Sequence, residues 1–105
     1  MRVRLHVFMP DSSEGPLHDA AELFKALSSP ARLALIRELV DEPKDVTALT
    51  EATGMSQPLV SQHLRTLRLA GLAEAERTGR HAIYRITDQH VAHIVCDAVE
   101  HAGEH

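Results

Sequence analysis

The sequence predicts a mainly α-helical domain with one small β-hairpin, arranged as a winged helix-turn-helix. Two helix-forming segments flank a tight turn at Gly54, and two short strand-like segments follow directly around Thr78-Gly79-Arg80. Aromatic residues make up only 3% of the 105 residues while hydrophobic residues reach 44%, which favours helices packed on Leu, Ile, Val and Ala. A chain this short buries a modest core, so association of two copies is an expected supplement to stability.

Residues 1–17 read as an N-terminal arm, rich in turn formers from Pro10 to Pro16, either disordered or packed on a neighbouring subunit. Residues 18–105 then form the folded domain. A first helix is predicted over His18 to Leu27, from the helical spacing of Ala20, Leu23, Phe24 and Leu27. Ser29 caps a second helix with Pro30 at its first position, and Leu33, Ile36, Leu39 and Val40 are its expected buried stripe. Asp45 caps a short third helix through Thr53, with Val46, Leu49 and Ala52 facing inward, and Gly54 ends it. Ser56 opens a fourth helix with Leu59, Val60, Leu64 and Leu67 as its apolar positions and Gly71 as its stop. Leu72 to Arg77 and His81 to Ile86 are the two strands of the wing. Thr87 or Asp88 caps a final helix that runs to about Ala102.

The net charge of −4 is the wrong sign for indiscriminate nucleic-acid binding, so any DNA contact must rest on local charge. Such a patch exists. No acidic residue occurs between Glu51 and Glu74, and that window holds Ser56, Gln57, Ser61, Gln62, His63, Arg65 and Arg68. Gln57, Ser61 and Gln62 suit base edges, and Arg65 or Arg68 suits the phosphate backbone. Arg80 at the wing tip is the expected minor-groove or phosphate contact, with Glu74 and Glu76 diluting the wing's charge. Tyr84 reads as a packed strand residue rather than a stacking platform. The single cysteine, Cys96, excludes an internal disulfide and fits a reducing, cytoplasmic compartment, where it packs as a small hydrophobe. No apolar run approaches the roughly 20 residues that cross a bilayer.

The last segment carries metal chemistry. Asp88 and His90 stand at one end of the final helix and His101 and Glu104 at the other, all residue types that zinc and its neighbours accept. Eleven residues separate the two histidines, roughly 16 Å at about 1.5 Å per residue, whereas donors sit about 2.0–2.2 Å from a shared ion. One chain therefore supplies half-sites, and an antiparallel second copy must complete them, giving a homodimer joined through its terminal helices with two identical sites. This donor set suits Zn(II) or Co(II) in a tetrahedron, with Zn(II) preferred, and recruiting His93 or His105 would expand the shell toward the six-coordinate geometry that Ni(II) and Co(II) accept.

Taken together, the segment from about Phe24 to Glu104 resembles the ArsR/SmtB family of bacterial metal-sensing repressors. The resemblance rests on Leu-Ser-Ser-Pro-Ala-Arg at 27–32, Ser-Gln-Pro-Leu-Val-Ser-Gln-His-Leu-Arg-Thr-Leu-Arg at 56–68, Ala-Gly-Leu at 70–72 and Gly-Arg-His-Ala-Ile-Tyr-Arg-Ile at 79–86. Asp88, His90, His101 and Glu104 match the pattern of family members that sense zinc or cobalt at the dimer interface. The resemblance implies that Asp88 and His90 of one subunit join His101 and Glu104 of the other. It further implies a dimer that binds a palindromic operator without metal and releases it with metal, through a hydrogen bond from His101 to a carbonyl near Gly71. A cysteine site is unexpected, because Glu38 to Thr53 contains none.

Two other readings compete. A repressor of the same family could respond to a non-metal signal or hold a purely structural metal. His101-Ala-Gly-Glu104-His105 also spells the inverted zincin motif of metallopeptidases. Gly103 weakens that helix and no downstream segment offers a third ligand or a substrate cleft, so neither an enzyme nor a small-molecule substrate is expected.

Overall fold

The computed structural model describes the backbone of residues 2–5 and residues 15–104 in full; Met1, residues 6–14 and His105 lie outside it. The order is β1 (Arg2–Leu5), α1 (Gly15–Leu27), α2 (Pro30–Asp41), α3 (Val46–Thr53), α4 (Gln57–Leu69), β2 (Ala73–Thr78), β3 (His81–Ile86) and α5 (Gln89–Gly103). It is the winged helix-turn-helix that the sequence predicts, with α3 and α4 as the helix pair and β2–β3 as the wing.

Local chemistry sets most of the boundaries. Ser29 takes an extended conformation and its hydroxyl accepts from the Arg32 amide, while Pro30 opens α2 without wasting a donor. Asp45 does the same for α3, its Oδ1 accepting from the Ala48 amide at 2.8 Å. Gly54 ends α3 in the left-handed region at φ 75°, where a side chain would be strained. Ser56 begins α4 two residues later, accepting from the Leu59 amide. Of the two candidate caps for the last helix, Asp88 serves: its Oδ1 accepts from the amides of His90 (2.9 Å) and Val91 (3.4 Å). Thr87 instead donates its hydroxyl to the Gly71 carbonyl at 2.7 Å, tying the start of α5 to the end of α4.

The core gathers Leu35, Ile36, Leu49, Val60, Leu64, Leu67, Leu72 and Val95, all essentially inaccessible to water. It lies where α2, α4 and α5 converge on the base of the wing. At about 1.5–3 kcal/mol for each fully buried aliphatic side chain, this cluster is the main force holding the recognition elements in register.

Several expectations need correction. Helix α1 begins at Gly15, three residues before the predicted start, so the arm contributes its last residues to a helix. Arg2–Leu5, read as part of an unstructured or partner-bound arm, pairs antiparallel with β2 in the register Val3↔Arg77, so the wing is a three-stranded sheet ordered β1-β2-β3. In α2 the fully buried positions are Leu35, Ile36 and Leu39, while Leu33 and Val40 are only half-buried against the core. Neighbours on several sides give this helix a buried arc wider than one stripe. Ala52 in α3 is exposed and Leu59 in α4 is 39% exposed, because α3 and α4 reach the core mainly through Leu49 and through Val60, Leu64 and Leu67.

Candidate nucleic-acid interface and metal centre

Helix α4 buries Val60, Leu64 and Leu67 and turns its other side outward. Gln57, Ser61, Gln62 and Arg65 are all exposed, Gln62 and Arg65 turned away from the core and Gln57 and Ser61 on its flank. With Ser56 holding the first turn, these side chains project from a helix whose inner face is locked by packing. That is the arrangement needed to enter a major groove about 12 Å wide.

Two residues grouped with them behave differently. His63 is half-buried on the flank facing α2, and its Nδ1 lies 3.3 Å from Arg32 Nη1. Arg32 in turn donates from Nε to the Ala26 carbonyl at 2.6 Å, so His63 braces α4 against the α1–α2 junction. Arg68 is also half-buried, and its Nε is sequestered without a hydrogen-bond partner among the described residues. On a helical wheel it falls on the line of Gln57 and Ser61, between Leu64 and Arg65, so it flanks the core rather than facing directly away from it.

The wing is cleaner in charge than its sequence suggests. Glu74 is buried, at 8% exposure, and Glu76 faces Arg85 at 3.6 Å, so neither acid projects from the tip. Arg80 is exposed beside Gly79, which takes φ 63° at the turn. Tyr84 packs half-buried against the core, as a strand residue should. A backbone contact that no local pattern betrays fixes the wing in place. Lys44, before α3, exchanges two backbone hydrogen bonds with Tyr84 (2.8 and 3.0 Å), forming a bridge between the helix pair and β3.

Helix α5 presents the metal-ligand candidates. The carboxylate of Asp88 caps the helix through Oδ1, 3.5 Å from His90 Nδ1, and both side chains are more than half exposed. His101 and Glu104 are exposed in and beside the last turn, where the Glu104 amide donates to the His101 carbonyl at 3.2 Å. Eleven residues are about three turns plus 20°, so His90 and His101 share one helix face. His93 and Asp97 lie on that exposed face too, Asp97 in the middle of the helix and outside both half-motifs. Among the described residues no group of three or more His, Cys, Asp or Glu side chains gathers within one chain. His105 lies outside the described residues. The suggested relay from His101 to Gly71 cannot operate within a chain: Gly71 is tied to the start of α5, and His101 lies roughly 20 Å further along that helix.

The comparisons bear on this geometry directly. The profile of the bacterial regulatory protein, arsR family, matches residues 29–75, from the cap of α2 to the first residues of the wing. NmtR, an HTH-type transcriptional regulator of Mycobacterium tuberculosis, is 42% identical over 82 residues, covering 78% of this chain and 68% of that regulator. The chain belongs to the ArsR family. Among its ArsR-family relatives, the HTH-type transcriptional repressor SmtB of Mycobacterium tuberculosis is 49% identical over 88 residues. That match covers 84% of this chain, which spans 65% of the repressor's length. A homodimeric winged helix-turn-helix DNA-binding domain from Mycobacterium bovis, Mb0332, superposes with a TM-score of 0.79 at 33% identity, covering 92% of this chain and 90% of that domain. These ArsR-family relatives are named as regulators and repressors of transcription, and this chain shares the helix-turn-helix and wing of the family.

Proposed function

We propose that this protein is a metal-responsive transcriptional repressor, a cytoplasmic homodimer that binds a palindromic operator and releases it when metal binds between its subunits. The observation that carries the reading is the division of α5 into two half-sites on one exposed face, Asp88 with His90 and His101 with Glu104, which no single chain brings together. Asp88 and His90 of one subunit, with the partner's His101 and the partner's Glu104, make a set of two imidazoles and two carboxylates. That set fits Zn(II) in four-coordination and also suits Co(II) or Ni(II). Asp88 commits Oδ1 to the helix cap, which leaves Oδ2 for such a role. A bound ion would supply directional bonds linking the two subunits.

On the DNA side, Gln57, Ser61 and Gln62 read base edges, and Ser56, Arg65 and Arg80 hold the backbone. His63 and Arg68 contribute from the flanks, mainly by fixing the pose of α4. The two recognition helices of a dimer must sit about 34 Å apart to enter successive major grooves. Residues that tie the two α5 helices together bias that spacing, and the coupling is reciprocal: metal weakens DNA binding as much as DNA weakens metal binding. The partner's His101, brought beside Asp88, would stand near the Thr87–Gly71 tie that joins α5 to α4.

The test is a titration followed by fluorescence anisotropy, using an operator selected from random duplexes. The metal-free dimer should bind it, and micromolar Zn(II), Co(II) or Ni(II) should release it. His90→Ala and His101→Ala should each abolish stoichiometric metal binding while leaving the metal-free DNA affinity intact. Retained release in either variant overturns the intersubunit reading.

A further inference from the structure

Beside the start of α4 the wing and the first helix of the pair enclose a notch of about 230 Å³, which includes Gln57 on its floor. Its walls are Arg77, Arg80 and His81 from the wing and Asp45 and Thr47 from the start of α3. The chemistry is predominantly cationic and polar. Arg77 and Arg80 are exposed and have no ion-pair partner among the described residues, in contrast to Arg85, which is neutralised by Glu76. The notch is also held open at a fixed width. The Lys44–Tyr84 bridge clamps β3 to the residue that precedes Asp45, so its two walls move as one body.

From this geometry we infer that the notch seats a backbone phosphate of duplex DNA, shared between the wing and the start of α3, and that Asp45 is its built-in competitor. This rests on the reading of the protein as a DNA-binding repressor and names contacts beyond α4 and the wing tip. Arg77 and Arg80 supply the charge, and the Thr47 hydroxyl and the amides of Val46 and Thr47, which precede the one capped by Asp45, supply further donors. Gln57 lies in the same notch, so a phosphate held there fixes how deeply the recognition helix enters the groove. Asp45 has two tasks. Its Oδ1 caps α3, and its Oδ2 stands 4.0 Å from His81 Nδ1, inside the seat. A carboxylate in that position opposes any anion that enters. It weakens binding to DNA of every sequence alike, leaving discrimination to the base contacts of α4.

Because a phosphate contact is blind to sequence, an arbitrary 30-base-pair duplex serves as probe, with affinity measured against salt concentration for the metal-free protein. A dimer carries two such seats, and each phosphate contact contributes about 0.9 to the slope of log affinity against log salt. Arg77→Ala should therefore lower the slope by about 2, so that between roughly 50 and 200 mM salt the variant loses about tenfold less affinity than the wild type. Arg37→Ala, the same charge change on an exposed position of α2, should leave the slope unchanged. Asp45→Ser keeps a capping oxygen for α3 and removes the carboxylate, and should tighten binding to the same duplex severalfold. If Arg77→Ala behaves like Arg37→Ala, or Asp45→Ser fails to tighten binding, while the wild type still selects an operator, the seat is refuted and the repressor reading stands. If the wild type binds no duplex at all, both fall together.

Discussion

Asp88 is asked to do two jobs, one visible in the fold and one proposed, and a pair of substitutions separates them. Its Oδ1 accepts from two amides at the start of α5, at 2.9 and 3.4 Å, and its charge sits at the positive end of a helix of 15 residues. Losing the capping hydrogen bonds costs about 1 kcal/mol, and losing the charge about 0.3–1 kcal/mol more. The side chain is 55% exposed, which places the charge contribution toward the lower end. Asp88→Ala removes both, so the metal-free protein should lose about 1.3–2 kcal/mol. Asp88→Ser keeps an acceptor for the amides and should lose only a few tenths. For a domain near 100 residues, about 1 kcal/mol moves Tm by roughly 4–8 °C, so the two variants should melt several degrees apart in the presence of a chelator. Added metal should then split the results differently. At a hundredfold excess over Kd it stabilises the wild type by about 2.7 kcal/mol, a rise of roughly 11–22 °C, and neither variant should show that rise. Thermal melts followed by circular dichroism, at one fixed protein concentration with and without Zn(II), measure all of this. If Asp88→Ser retains the full metal-induced rise, Asp88 is no ligand. Equal melting of both variants in chelator refutes the capping account instead.

Two further expectations concern the elements that carry the proposed DNA-reading surface. Leu64→Ala empties a fully buried position between α4 and the core, and should cost about 2–5 kcal/mol in urea denaturation; a loss under 1 kcal/mol would show that the core does not hold α4. Gly54→Ala meets no atom within 4 Å, so its cost is purely conformational, about 1–2 kcal/mol for a side chain at φ 75°. Because this turn sets the angle between α3 and α4, the same variant should bind operator less tightly even where it is fully folded, which anisotropy below the unfolding transition would reveal.

Much of the fold was legible because its boundaries are decided within a few residues. Ser29-Pro30, Asp45, Gly54, Ser56 and Asp88 each act on amides or dihedral angles in their own turn, and the structure places a cap or a stop at every one. The outward residues of α4 were legible for the same reason, since helical spacing alone separates Gln62 and Arg65 from Val60, Leu64 and Leu67. What escaped depends on partners distant in the chain. The strand Arg2–Leu5 finds its place only because β2 offers an unpaired edge some seventy residues later. His63 and Arg68 look like their surface neighbours until α2 and the core close around them. Glu74 and Glu76 seemed to spoil a basic wing, yet one is buried and the other is neutralised across the hairpin by Arg85.

The amino-acid order by itself determined the starts of α2, α3 and α4 and the stop of α3, and that the ends of α5 carry donors too far apart for one ion, because both follow from short-range geometry and a fixed rise per residue. Only the tertiary structure decided which charges remain exposed for a partner, and that Lys44 locks the wing beside α3. Burial, pairing and neutralisation are properties of surfaces that meet only when the chain has folded.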